Sequence, residues 1–192
     1  LNKLVTGETL DVFYAKGKMD DLTEAQITAM LWGKTGALYE FAGRAGALIG
    51  LQTANREHPQ VQAIASFTSK CGIAFQLLDD VLGLVGDEKK LGKPIGSDIR
   101  EGKKTIILYH TLNRANPVQK EKILKILGSP EMTEREFLEV LGLIQELGGI
   151  RICKKMADDY LAEALRSLEA IPDSKYKRLL QSWANYLIQR EF

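Results

Sequence analysis

Gln76, Asp79 and Asp80 stand at i, i+3 and i+4 near the end of an apolar stretch, with Gly72 one turn before and Gly83 one turn after. Helical spacing places these polar and small residues on one face. The opposite face, Ile73, Leu77, Leu78, Val81 and Leu84, reads as core. Paired aspartates at a helix C-terminus are each disfavoured by about 0.3–1 kcal/mol through the macrodipole, and they repel one another, so a cation is expected to offset them. Magnesium suits the position: it takes hard oxygen ligands, sheds water reluctantly, and is usually held by one or two carboxylates together with phosphate oxygens. The loop that follows sets Lys89, Lys90, Lys93, Arg100, Lys103 and Lys104 among Gly86, Gly92, Gly96 and Gly102. Glycines let backbone approach an anion closely while the cations neutralise it. Residues 72–105 therefore read as a site for a magnesium-bound diphosphate.

Rigid helices must position such a site, and the patterning supplies them. Leu4, Leu10, Val12 and Phe13 are the apolar anchors of an opening helix that Gly17 ends. In Met19–Gln26 the acids Asp20, Asp21 and Glu24 imitate a metal motif, but Thr23 with Gln26 makes a capping box and acids at a helix start complement the dipole. The spacing predicts a helix from Glu24 to about Thr53, broken near Lys34, Thr35 and Gly36, because glycine inside a helix costs about 0.5–1 kcal/mol against alanine. Gly43, Gly46, Ala47 and Gly50 form a small-residue stripe, read first as close helix packing.

Pro59 opens the helix that carries the aspartates to about Gly83. Shorter helices are expected over 104–113 and 117–127. A Thr133-capped helix, apolar on nearly every side and so expected to be buried, ends at Gly148 and Gly149. The next, 150–171, buries Leu161, Leu165 and Leu168; Asp158 and Asp159 on it read as solvated acids, with no glycine loop or lysine cluster after them. Leu179, Leu180, Trp183 and Leu187 are expected to dock a last helix, 174–191. No repeat or strand-period segment stands out. The fold class predicted is all-α, with 1–192 as one domain.

With 192 residues, 45% of them hydrophobic and 27% charged, the chain can bury one sizeable core. Lysine plus arginine is 26 against 25 acids, a net charge of +1, so nothing in the composition points to a whole-molecule field for nucleic acid. Cys71 and Cys153 lack metal-ligand or redox spacing and read as reduced core residues of a cytoplasmic protein. No apolar run reaches the roughly 20 residues needed to span a bilayer, so no transmembrane segment is expected.

The order of these residues resembles a known family. FQLLDDVLGLVGDEKKLGKPIGSDIREGKKT, from Phe75 to Thr105, resembles the second aspartate-rich region of the trans-type polyprenyl diphosphate synthases, especially short-chain geranylgeranyl or farnesyl diphosphate synthase-like members. Lys34, Thr35 and Gly36 resemble that family's diphosphate-binding KTG element, and the opening helix its GQxxDL segment, with Glu8 where glutamine is common. The resemblance is strong from Gly7 to Thr105; beyond it, the chain fits as a generic run of helices. Gly83 stands at the third acidic position of DDxxD, a departure that removes one possible metal ligand.

The resemblance implies an isoprenoid synthase-type bundle around a diphosphate and prenyl cavity, and a homodimeric transferase that condenses an allylic diphosphate with isopentenyl diphosphate using Mg²⁺. It assigns Asp79, Asp80 and Asp98 to metal, Asp79 foremost. Lys34 and Lys93 are assigned to the leaving diphosphate, Thr35 and Gln76 to the cationic carbon, Phe75 to the acceptor site, and Lys103 and Lys104 to substrate diphosphate. Small residues of the Gly43–Gly50 stripe have a second use as room for a prenyl tail. Because the chain begins at Leu1 inside a helix, it is expected to be the C-terminal portion of a synthase and inactive alone. The rivals are a noncatalytic or regulatory subunit of a prenyl synthase, and a terpene cyclase, against which the basic loop argues.

Overall fold

The computed structural model describes residues 1–87, 92 and 94–188, the side chains of Asp20 and Ile188 excepted. Lys89, Lys90 and Lys93 lie outside the described residues. Every described element is helical. In chain order these are α1 (Asn2–Lys16), a short 3₁₀ turn (Met19–Asp21), α2 (Glu24–Leu31), a π-helical turn (Trp32–Gly36), α3 (Ala37–Gly50) and α4 (Pro59–Val85). After the loop come α5 (Ser97–Arg100), α6 (Ile106–Arg114), α7 (Pro117–Ile126), α8 (Glu134–Glu146), α9 (Gly149–Ser167), a 3₁₀ turn (Leu168–Ala170) and α10 (Lys175–Ile188).

α4 is the axis. Its 27 residues run roughly 40 Å at 1.5 Å per residue, with Pro59 at its first turn. α3 and α9 pack along it, and α6 backs α9. Because α4 is enclosed on several sides, its apolar residues do not form a single stripe. Ile73, Ala74, Leu77, Val81 and Leu84 enter a large core with Ile27 and Met30 of α2, Ile106 and Ile107 of α6, and Ile144 of α8. Phe67 and Cys71 enter a second core with Leu161 and Ala164 of α9 and Ala184 and Leu187 of α10. Both cysteines are buried and free; burial pushes the Cys71 thiol up to about 12, and Cys153 donates to Leu77 O at 3.3 Å.

Three helix starts follow their capping boxes: Thr23 with Gln26, Asn116 with Gln119, and Thr133 with Glu136. Three apolar expectations fail. On α1, Val12 and Phe13 are 58% and 68% exposed, and the helix buries Gly7 and Asp11 instead. On α8 only Phe137, Val140 and Ile144 are buried, while Leu138 faces outward. On α10 Leu179 is exposed, and Leu187 and Ala184 dock the helix with half-buried Leu180 and Trp183.

Candidate active site

The break expected near Lys34 is the π-helical turn Trp32–Gly36, a feature that inserts a residue and re-aims the side chains after it. Glycines seat it. A Cβ on Gly7 of α1 would overlap the backbone of Gly33 and Lys34, and one on Gly72 of α4 would lie 2.8 Å from Gly36 Cα. The Trp32 indole N–H donates to Ser69 Oγ at 2.9 Å, fastening the turn to α4.

From this turn, consecutive side chains reach opposite neighbours. Lys34 Nζ meets Asp11 Oδ2 of α1 at 2.7 Å. Thr35 Oγ1 donates to Gln76 Oε1 at 2.7 Å, and Gln76 Nε2 donates to Asp80 Oδ1 at 3.0 Å. Asp80 is 6% exposed and its Oδ2 has no hydrogen-bond partner among the described residues. Burial pushes the Asp80 carboxyl up to about 7; the Gln76 hydrogen bond and the Lys34 charge oppose the rise, and Asp98 and Asp79 add to it. Asp79, one residue earlier, is half-buried.

The loop returns onto this face. Gly96 N–H donates to Gly83 O at 2.9 Å, so Gly83 serves as the docking point of the loop rather than as a ligand position. Gly96 has φ +77°, and a Cβ there would meet the Phe137 ring. That turn delivers α5, whose Asp98 is 7% exposed and accepts from Lys103 Nζ at 2.7 Å; Lys103 also meets Glu101 at 3.0 Å. Burial works against the Lys103 ammonium, but the carboxylates of Asp98 and Glu101 outweigh it and raise its pKa above the ordinary lysine value. Asp80, Asp98, Lys103 and Thr105 line a pocket with about 10 Å³ of room. That holds about one water molecule and no diphosphate.

The donor set suits a hard cation. A buried carboxylate oxygen lacks a partner, two further carboxylates raise the pKa of the same group, and all of these donors are oxygens. Among the described residues no three acidic, histidine or cysteine side chains are grouped so that together they could hold a metal ion. Other ligands, such as phosphate oxygens, must complete the shell.

Residues 1–144 match the polyprenyl synthetase family. The chain belongs to that family. It is 32% identical over 189 residues to the short chain isoprenyl diphosphate synthase of Methanothermobacter thermautotrophicus, covering 98% of this chain and 56% of that protein. To the geranylgeranyl diphosphate synthase of Saccharolobus solfataricus it is 37% identical over 172 residues, covering 88% and 50%. The geranylgeranyl pyrophosphate synthetase structure from Pyrococcus horikoshii superposes with a TM-score of 0.86 at 37% identity, over 99% of this chain and 56% of that one. A Caulobacter crescentus polyprenyl synthase, complexed with calcium and isoprenyl diphosphate, superposes with a TM-score of 0.88 at 28% identity, over 100% and 56%. The chain thus spans about half the length of these polyprenyl synthetase relatives.

The structure links Thr35, Gln76 and Asp80 in one hydrogen-bonded chain, pairs the adjacent Lys34 with Asp11, and sets Asp98 with Lys103 beside Asp80. Lys104 departs from expectation. It is 4% exposed, and its ammonium donates to Ala15 O at 3.2 Å and Gly102 O at 2.8 Å, so it neither faces a diphosphate nor is solvated. Phe75 is half-buried in ring contact with Tyr39 at 5.8 Å and packs on the second core. Lys93 lies outside the described residues. Asp158 and Asp159 are exposed, Asp159 paired with Lys155 at 2.6 Å. Asp11 was missed as a polar anchor because it sits between apolar residues; its i, i+4 spacing from Gly7 was the available signal.

Proposed function

We propose that the complete protein is a prenyltransferase that joins an allylic diphosphate to isopentenyl diphosphate and acts as a magnesium-dependent homodimer in the cytoplasm. In this reaction the allylic carbon–oxygen bond breaks and diphosphate leaves. The isopentenyl double bond attacks the allylic carbon to form the new carbon–carbon bond, and a neighbouring carbon loses a proton. The observation that carries the reading is the chain Thr35–Gln76–Asp80, linked at 2.7 and 3.0 Å and placed next to Lys34 by one π-helical turn.

Asp79, Asp80 and Asp98 would hold the metal, which when bound supplies fixed positive charge for the departing diphosphate. Lys34 and Lys93 add ammonium charge to the same leaving group. Lys103 spends N–H donors on Asp98 and Glu101 and keeps a third for a phosphate oxygen. Thr35 donates its hydroxyl hydrogen to Gln76, which turns that hydrogen away and leaves its oxygen lone pairs to face developing positive charge. Phe75 and the open positions Gly46 and Gly50, where an added Cβ meets nothing within 4 Å, would border the organic parts of the substrates.

The test is incorporation of radiolabelled isopentenyl diphosphate by the complete protein with each short allylic diphosphate. Elongated product that requires Mg²⁺ is expected, and the 192-residue chain alone, carrying a single aspartate motif, is expected to give none. No product from any allylic partner would contradict the proposal.

A further inference from the structure

The geometry points to Lys104 as a positioning residue that sets the spacing between Lys34 and Lys103, an inference that rests on the diphosphate-binding reading above. Two backbone segments meet at its ammonium, and a third packs against the turn beside it. Ala15 O belongs to the last turn of α1, and Gly102 O to the turn after α5. Gly102 has φ +73°, and a Cβ on it would lie 3.1 Å from Ala15 O and 3.2 Å from Gly128 Cα, so the end of α1 rests directly on this turn. Gly128 N–H closes the knot by donating to Ile99 O of α5 at 2.8 Å.

The two carbonyls held by Lys104 lie on the elements that carry the two charged pairs. Four residues before Ala15, on the same helix, Asp11 holds the Lys34 ammonium at 2.7 Å. The residue after Gly102 is Lys103, held by Asp98 at 2.7 Å. Both pairs act on Asp80: Lys34 and Asp98 bear on its carboxyl electrostatically, and Asp98 with Lys103 lines its pocket. A terminal helix carbonyl and a turn carbonyl both face the ammonium of a lysine whose residue is 4% exposed, and they lose their charged donor when it is removed. Removal of the ammonium lets α1 and the turn part, and the Lys34 and Lys103 ammoniums cease to address one anion together. No other described contact in this knot joins the two carbonyls through a charge. Lys104 therefore acts through Lys34 and Lys103 and touches no substrate itself.

A double-mutant cycle on the complete protein tests this, reading magnesium-dependent binding of inorganic diphosphate by titration calorimetry, with thermal unfolding recorded in parallel. Lys104→Met is expected to weaken binding about 10-fold. In a Lys34→Ala background the same change should add less than about 2-fold, because the group it positions is gone. Lys104→Gln, whose uncharged amide keeps two N–H donors on a shorter stem, should fall between wild type and Lys104→Met, and it carries the cycle if Lys104→Met does not fold. Equal fold losses in both backgrounds would show a general loss of stability and overturn the inference, as would wild-type affinity in both Lys104 variants. Wild-type affinity in Lys34→Ala alone would sink the diphosphate reading and this inference with it, whereas loss in Lys34→Ala beside an unaffected Lys104→Met would sink this inference only.

Discussion

Lys34 is held by a carboxylate on a neighbouring helix before any substrate arrives, with side-chain exposures of 20% for the lysine and 11% for Asp11. An ion pair so placed fixes the direction of the ammonium and keeps it close to solvent, where the proposed diphosphate would reach it. Its effect on binding should depend on salt, since screening shortens from about 10 Å at 0.1 M to about 3 Å at 1 M. Lys34→Ala in the complete protein is expected to weaken magnesium-dependent diphosphate binding at low salt, and the gap to wild type should narrow as salt rises. Titration calorimetry at two ionic strengths checks this, and an equal gap at both would contradict a charge contact. At this scale residue type and spacing singled out Gln76 and the aspartates, whereas Lys34 and Thr35 stood out only through the resemblance of their KTG run. The sequence did not show that Asp11 is the partner of Lys34, or that Lys104 turns inward, because both depend on how α1 lies against elements distant in sequence.

Among the elements, the π-helical turn is the working part and α4 its bed. Gly36 of the turn and Gly72 of α4 touch so closely that a Cβ on Gly72 would lie 2.8 Å from Gly36 Cα and 3.0 Å from the Tyr39 side chain. Gly72→Ala is therefore expected to destabilise by about 1–3 kcal/mol through overpacking and to shift Lys34 and Thr35. Gly46→Ala on α3, where a Cβ meets nothing within 4 Å, should be neutral or stabilising by about 0.5–1 kcal/mol through helix propensity. Thermal unfolding of the two variants in the complete protein decides between them, and a larger loss at Gly46 would refute the packing account. The cost of glycine inside a helix made the break near Gly36 legible in the sequence. Hydrophobic pattern failed where it had to say what lies against a face: Val12, Phe13, Leu138 and Leu179 are apolar and exposed, whereas α1 is buried through Gly7 and Asp11.

Across the molecule, the exposed apolar side chains include Val5, Val12 and Phe13 on α1 and Leu38, Phe41 and Ile49 on α3; α3 has no buried residue at all. No described helix is long and apolar enough to cross a membrane. The all-helical fold was legible because several segments carry their own capping start signal and none alternates with a strand period. The wall of charge around Asp80 was legible only in part, as its closing contacts come from a loop whose path is set by Gly83, Gly96 and Gly102 rather than by any period. In the proposed reaction the aspartates at the end of α4 serve, and not those elsewhere. The direct measurement is turnover of the complete protein carrying Asp79→Ala beside one carrying Asp158→Ala, at saturating Mg²⁺ and substrates. Turnover is expected to fall more than about 100-fold for Asp79→Ala, the effect of losing a preorganised electrostatic group worth about 3 kcal/mol, and to stay near wild type for the exposed Asp158→Ala. Equal losses at the two positions, or an unimpaired Asp79→Ala enzyme, would contradict the account.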